Sequence, residues 1–170
     1  MPLFALLKRY YRTPLFIAIG LFFSLLALAQ TNLKYRLLNG YLLHADAPVN
    51  KGKPTLFVFE QAATFSQIFD PATNGSFRKR DAPNFDKEMA IGIVLSSTKT
   101  PPKLSVSRVF VQDSTLTVRY IRLADTTVTK SPLPEATQPM LVFTIPKQTV
   151  LKTRLVENGK VVQTLKKRDD

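Results

Sequence analysis

Residues 89–111 read MAIGIVLSSTKTPPKLSVSRVFV, and the way this stretch divides decides the fold. It is the densest apolar run outside the N-terminus, and the polar segment SSTKTPP interrupts it. MAIGIVL reads as a strand. Beyond the interruption, KLSVSRVFVQ and TLTVRYIRLA flank Asp113-Ser114 and read as a hairpin. A turn of two or four residues sets Leu104 against Leu123, Val106 against Ile121, Arg108 against Arg119 and Val109 against Val118.

Alternation then buries Leu104, Val106, Ile121 and Leu123 far from the turn, and Val109, Val111, Leu116 and Val118 near it. Both strands are expected to switch faces at one level, as in a sandwich corner or a small barrel. The same register opposes two arginines, which is unfavourable unless an anion or carboxylate sits between them or both side chains fan into water.

Upstream, YRLLNGYLLH places Asn39-Gly40 between two apolar pieces, a tight hairpin or one strand with a glycine bulge. ADAPVNKGKP, residues 45–54, reads as a loop, and Thr55–Glu60 as a short buried strand. Phe65, Ile68 and Phe69 then fall at i, i+3, i+4, the face of one short helix, which Pro71 stops. Residues 71–88 form a long loop carrying the basic triplet Arg78, Lys79 and Arg80.

Downstream, residues 125–137 read as a second loop and PMLVFTIPK as a buried strand. The strongest local signal is Asn158-Gly159 between LKTRLVE and KVVQTL, a type I′ hairpin with Glu157 opposite Lys160. KKRDD reads as a solvated tail. The expected architecture is mainly β with one short helix, an antiparallel sandwich or partly open barrel.

The N-terminus has the order of a secretory signal: Lys8, Arg9 and Arg12, then an uncharged run from Pro14 to Ala29 ending Ala27-Leu28-Ala29. That run is 16 residues, whereas a spanning helix wants about 20. The expected organisation is a signal peptide over 1–29, an N-terminal strand or hairpin with a loop over 30–53, one β-rich domain over 54–166 and a tail over 167–170. Export to a periplasmic or extracellular location follows, with membrane contact only through an uncleaved N-terminal segment.

Cysteine is absent, so a lipid-anchored lipoprotein, a disulfide framework and a thiol enzyme are all excluded. The net charge is +12, and without residues 1–29 there remain 21 Lys plus Arg against 12 Asp plus Glu, or +9. For an exported chain this charge points to an anionic envelope polymer or a protein partner rather than to nucleic acid.

Catalytic chemistry finds little to build on. His44 is the only histidine and reads as a strand-edge residue, so a serine triad would depend on it and a zinc site lacks ligands. Asp81, Asp86 and Glu88 have no spacing that wraps calcium, and Asp86 reads as a turn former. Glu60, Asp70, Asp86 and Glu88 could meet as a glycosidase pair, although nothing selects two of them. Asn74-Gly75-Ser76 serves equally as a glycan acceptor or a turn. Phe57, Phe59, Phe65, Phe69, Phe110 and Phe143 fall at core positions, whereas Tyr35, Tyr41 and Tyr120 are ambiguous.

LFVFEQAATFSQIF, the lead-in NFDKEMAIGIVL, the LSVSRVFVQDSTLTVRY hairpin and the closing PMLVFTIPK together resemble the PrcB C-terminal domain family, over roughly residues 54–147. The resemblance implies an exported, non-catalytic accessory protein. One feature departs from it. Where better-known members carry a threonine, a glycine pair and an aromatic, this chain has SSTKTPPKLSV, and Pro101-Pro102 stiffens a connection that glycines would loosen.

The sequence therefore leads to an exported, non-enzymatic binding or accessory module without cofactor or metal. Its expected contact residues are Ser97, Thr98, Lys99, Arg108, Arg119, Tyr120 and Arg122. The alternatives are a proteinase inhibitor presenting loops 96–102 and 125–137, and a carboxylate glycan hydrolase. SSTKTPP reads as a turn first and as a contact loop second.

Overall fold

The structure, a computed structural model, describes residues 30–72 and 81–167. The signal segment, Asn74-Gly75-Ser76 and the Arg78, Lys79, Arg80 triplet lie outside the described residues. The chain divides into units 1–31 and 32–170, and the architecture below is that of the second.

The elements run β1 (Thr31–Asn32), β2 (Arg36–Leu37), β3 (Tyr41–Leu43), β4 (Thr55–Phe59), α1 (Ala62–Ser66), β5 (Phe69–Pro71), β6 (Glu88–Val94), β7 (Lys103–Gln112), β8 (Thr115–Leu123), α2 (Thr126–Lys130), β9 (Met140–Pro146), β10 (Lys152–Glu157) and β11 (Lys160–Lys166). They form a five-stranded sheet in the order β1-β7-β8-β10-β11, a four-stranded sheet in the order β2-β9-β6-β4, and the two-stranded pair β3-β5. The protein is mainly β, a sandwich-like packing of sheets with no closed barrel. One neighbour pair, β8 with β10, is parallel, because the chain crosses to the other sheet through β9 before returning.

The opening stretch is split between the two large sheets: β6 belongs to the four-stranded one and β7 to the five-stranded one. SSTKTPP is thus a crossover between layers. MAIGIVL lacks alternation because β6 is buried on both faces. Met89, Ile91 and Ile93 join Leu56, Phe143 and Ile145 in a core shared with Val109, Leu116, Val118 and Leu155 of the five-stranded sheet. Ala90 and Val94 point the other way, into a second core with Phe59, Phe65 and Phe69. Gly92 lies on that second side, where a Cβ would stand 2.7 Å from Cε2 and Cζ of Phe69.

Several expectations need correction. The Thr31–His44 stretch is neither one hairpin nor one strand, since β2 pairs with β9 and β3 with β5, and Gly40 at φ +81° makes the turn between them. The helix ends at Ser66, so Phe69 reaches the second core from β5 rather than from a helical face. Residues 125–137 contain α2, capped by the Asp125 side chain on the Thr127 N–H, which makes two short helices among the described residues. Lys166 and Lys167, the first two residues of KKRDD, are held rather than free, because β11 includes Lys166, and Lys167 donates its N–H to the Leu151 carbonyl and its Nζ to Glu60 at 2.8 Å; the rest of KKRDD lies outside the described residues.

The β7–β8 hairpin has the expected two-residue turn, with Asp113 and Ser114 at φ 47° and 56°. Arg108 opposes Arg119 and Val109 opposes Val118 as read, but the register shifts between Val106 and Arg108. Beyond that bulge Val106 faces Tyr120, and Leu104 faces Arg122. Only β7 changes sides. In β8, Leu116, Val118 and Tyr120 are all buried on one face, whereas Ile121 and Leu123 are exposed. At the other hairpin Asn158 and Gly159 adopt φ 47° and 87° and Glu157 pairs with Lys160, as the Asn-Gly signal predicts.

Candidate functional site

The seven residues singled out by sequence separate into three places. The first is one end of the sandwich, where a cleft of about 180 Å3 is lined by Lys53, Pro54, Leu95, Ser96, Ser97, Thr98, Pro102 and Arg122, with Gly52. Ser97, Thr98 and Arg122 meet there, with Lys99 next along the exposed loop. The second is the outer face of the five-stranded sheet, which carries Arg108 and Arg119. The third is the interior, which claims Tyr120.

Local hydrogen bonds fix the end loops. Thr98 and Thr137 exchange two backbone bonds of 2.9 Å, and the Leu133 N–H donates to the Lys99 carbonyl at 2.9 Å. The crossover and the segment after α2 are therefore one ordered surface. The Gly52 N–H donates to Ser96 Oγ at 2.9 Å, tying the 50–54 loop to the same unit. Arg122 is positioned through its backbone, for the Asn158 side chain accepts its N–H at 2.9 Å and donates to its carbonyl at 3.0 Å. The Arg122 guanidinium is 3.7 Å from Glu157 and remains half-exposed toward the cleft. No carboxylate or imidazole lines the cleft among the described residues, and its lining offers hydroxyls and cations to a ligand.

Tyr120 is 1% exposed and belongs to the main core, so it is not part of a recognition surface. Its hydroxyl donates to Glu157. Burial, and then the adjoining Glu157 carboxylate, push the phenol far above its ordinary range. The sequence reading missed this because it placed a face switch in β8 that only β7 makes.

On the outer face, the opposed arginines are exposed and share one aromatic ring. Both guanidinium carbons lie over the Phe110 ring, 5.2 and 5.4 Å from its centroid, and Arg108 Nε donates to Asn32 Oδ1 at 2.7 Å. Phe110 is buried, yet it belongs to neither core. It lies outside the sandwich, covered by the two arginines. The like-charge repulsion that the register imposes is offset by a shared ring quadrupole.

Two of the four carboxylates weighed for hydrolysis, Glu60 and Glu88, are engaged in separate ion pairs. Glu60 pairs with Lys167. Glu88 accepts from Arg36 at 2.9 Å and from the Asn84 N–H at 3.1 Å. Burial opposes ionisation of Glu88, but these two donors prevail and hold its carboxyl below the usual range. The turn before β6 is made by Asn84, whose side chain accepts the Asp86 N–H and whose carbonyl accepts the Glu88 N–H, so Asp86 is not its former. His44 follows β3, half-exposed, and its Nδ1 accepts the Asp46 N–H at 3.2 Å. A second cleft, about 220 Å3, lies between β4 and the β10–β11 hairpin, lined by Val58, Val150, Leu151, Thr153 and Leu165, with the Glu60–Lys167 pair at its rim.

No family model, curated protein or solved structure matches this chain.

Proposed function

We propose that the chain is an exported, non-enzymatic accessory module that binds a protein partner at the cell envelope through the loops at one end of its sandwich. The observation that carries this reading is the pairing of Thr98 with Thr137, which holds Ser97, Thr98 and Lys99 beside the Arg122 cleft. A loop already ordered gives up little conformational entropy on binding, so its contacts appear more fully as affinity. Export is supported by the basic patch and apolar run at the N-terminus. The resemblance to the PrcB C-terminal domain family supports the accessory, non-catalytic role.

The test compares the full chain with a Ser97→Arg, Arg122→Ala variant as baits in an envelope extract at low salt. A protein retained by the first and lost by the second is the expected result. No retained protein, or equal retention by both baits, would sink the reading.

A second reading, a proteinase inhibitor, is favoured by the same hydrogen bonds, because they unite loops 96–102 and 125–137 with Lys99 exposed at the tip. Titration against serine proteases that prefer lysine gives tight, stoichiometric inhibition if it holds. Undiminished activity across a panel of secreted proteases retires it.

A further inference from the structure

The outer face of the five-stranded sheet carries a pattern unrelated to the end loops. Register and burial fix which residues point outward. Leu116, Val118 and Tyr120 of β8 and Thr153 and Leu155 of β10 point inward and are buried, so Arg119 of β8 and Lys152 and Arg154 of β10 point outward. Lys166 of β11, opposite Lys152, and Arg108 of β7, opposite Arg119, point outward too. All five side chains belong to exposed residues.

Followed across the strands, these cations form one diagonal. Lys166 and Lys152 are cross-strand partners, Arg154 is two residues along β10, Arg119 is diagonal to Arg154 across the parallel β8–β10 pair, and Arg108 is the partner of Arg119. Sheet geometry sets the successive steps at about 5–8 Å. No Asp or Glu occupies an outward position on β7, β8, β10 or β11, and none of the five forms an ion pair among the described residues. Lys103, also outward, is excluded because Asp125 lies 3.4 Å from it.

A row of unpaired cations on a regular lattice is costly to keep without a counter-charge that repeats in step. Arginine supplies three of the five, and its planar fork matches phosphate oxygens. The ring that could have stacked on bases, Phe110, is buried under Arg108 and Arg119, and the exposed apolar residues on this face, Ile121, Leu123 and Val161, are aliphatic. Recognition of single-stranded nucleic acid relies on such aromatic platforms, and this face has none to offer.

We propose that this diagonal, Lys166-Lys152-Arg154-Arg119-Arg108, binds a linear phosphodiester polymer with a polyol backbone, laid across the strands so that successive phosphates meet successive cations. Arg108 and Arg119 are positioned for it, since both lie over Phe110 and Arg108 is also held through Nε by Asn32, while their terminal nitrogens have no hydrogen-bond partner among the described residues.

The test measures binding of the full chain to a synthetic poly(glycerol phosphate) over a salt series, with oligothymidylate and polyglutamate as the other arms. Poly(glycerol phosphate) is expected to bind tightest, with log K falling on log salt at a slope of about −3 to −4, near −0.7 per phosphate engaged. Lys152→Ala with Arg154→Ala, which leaves Phe110 covered, is expected to flatten that slope by about 1.4 and to weaken binding roughly tenfold or more at low salt. A salt-independent affinity, an unchanged slope in the double variant, or tighter binding of oligothymidylate or polyglutamate would each overturn the proposal. Loss of binding at the end-loop partner has no bearing on it, since Ser97 and Arg122 lie off the diagonal.

Discussion

The two large sheets end up in different physical situations. The four-stranded sheet is covered on both sides, by the five-stranded sheet on one and by α1 with the β3–β5 pair on the other. The five-stranded sheet is covered on one side and wet on the other. In the covered sheet every residue of β6 from Met89 to Val94 is buried, and sequence variety is limited by packing volume. In the half-wet sheet the inward residues are committed to packing and the outward positions are mixed: Phe110, Thr117 and Val156 are buried, whereas Lys152, Arg154, Arg119 and Arg108 are exposed. Function has room only where packing has no claim.

The comparison is broken most forcefully at Phe143, which is fully buried in the covered sheet. Phe143→Ala is expected to lower stability by about 3–5 kcal/mol, from lost transfer energy plus an unfilled cavity. Urea unfolding measures it. A loss under 1 kcal/mol would mean that the sheet is not enclosed as described.

Next in size is Gly92→Ala. The added methyl would meet the edge of the Phe69 ring at 2.7 Å, and Phe69 itself is packed among Phe57, Phe59 and Phe65. The ring has no slack to yield, so a cost of about 1–3 kcal/mol is expected even though alanine is ordinarily easier on a strand than glycine. Stabilisation by this change would show that the second core is loosely filled.

These two positions also mark how far the sequence could be read. MAIGIVL and PMLVFTIPK are legible as strands because double burial leaves an unbroken apolar run, and both Asp113-Ser114 and Asn158-Gly159 are legible because their turns need positive φ. The Ser107 bulge is not, since one extra residue in β7 leaves no local mark, and missing it put Tyr120 outside and Ile121 and Leu123 inside. Phe110 was read as core from hydrophobicity alone. Its partners are two arginines, Arg108 two residues back on the same face of β7 and Arg119 across the hairpin, and the alternation that turns Val109 and Val111 inward already turns Phe110 outward with them. Of the end surface, Ser97, Thr98 and Arg122 were legible singly, but the Thr98–Thr137 pairing that joins the loops is set by long-range topology.

Tyr120 tests the boundary between the wet and covered sides. Its phenol is raised far above 10 by burial and by Glu157, so its neutral form is the one the fold tolerates. A raised folded-state value contributes stability that is complete below the unfolded value of about 10 and lost as pH rises beyond it. The expected signature is alkaline unfolding in which one tyrosinate appears only together with loss of structure. Tyr120→Phe removes that pH dependence and costs about 1 kcal/mol at neutral pH through the lost hydrogen bond. An ordinary titration of all tyrosines in the folded state would place Tyr120 in water.

At the margin of the covered sheet, the Arg36–Glu88 pair joins β2 to the start of β6. A lowered carboxyl contributes stability above its unfolded value, near 4.3, and loses it as pH falls through the folded one. Glu88→Gln should therefore cost under about 1 kcal/mol at pH 7, because Arg36 is substantially exposed, and should match the parent in acid. A constant difference at every pH would assign the loss to packing.

The smallest effect is expected on the wet face, at Arg154→Ala. Arg154 is exposed, has no ion pair among the described residues, and stands near Lys152 and diagonal to Arg119. Removing it deletes repulsion and little packing, so the change should lie within about 0.5 kcal/mol and lean toward stabilisation at low ionic strength. At 1 M salt, where screening acts over about 3 Å, the lean should vanish. A loss above 1 kcal/mol, unaffected by salt, would mean that the outer face is packed rather than open. The difference between the sheets would then be one of composition and not of burial.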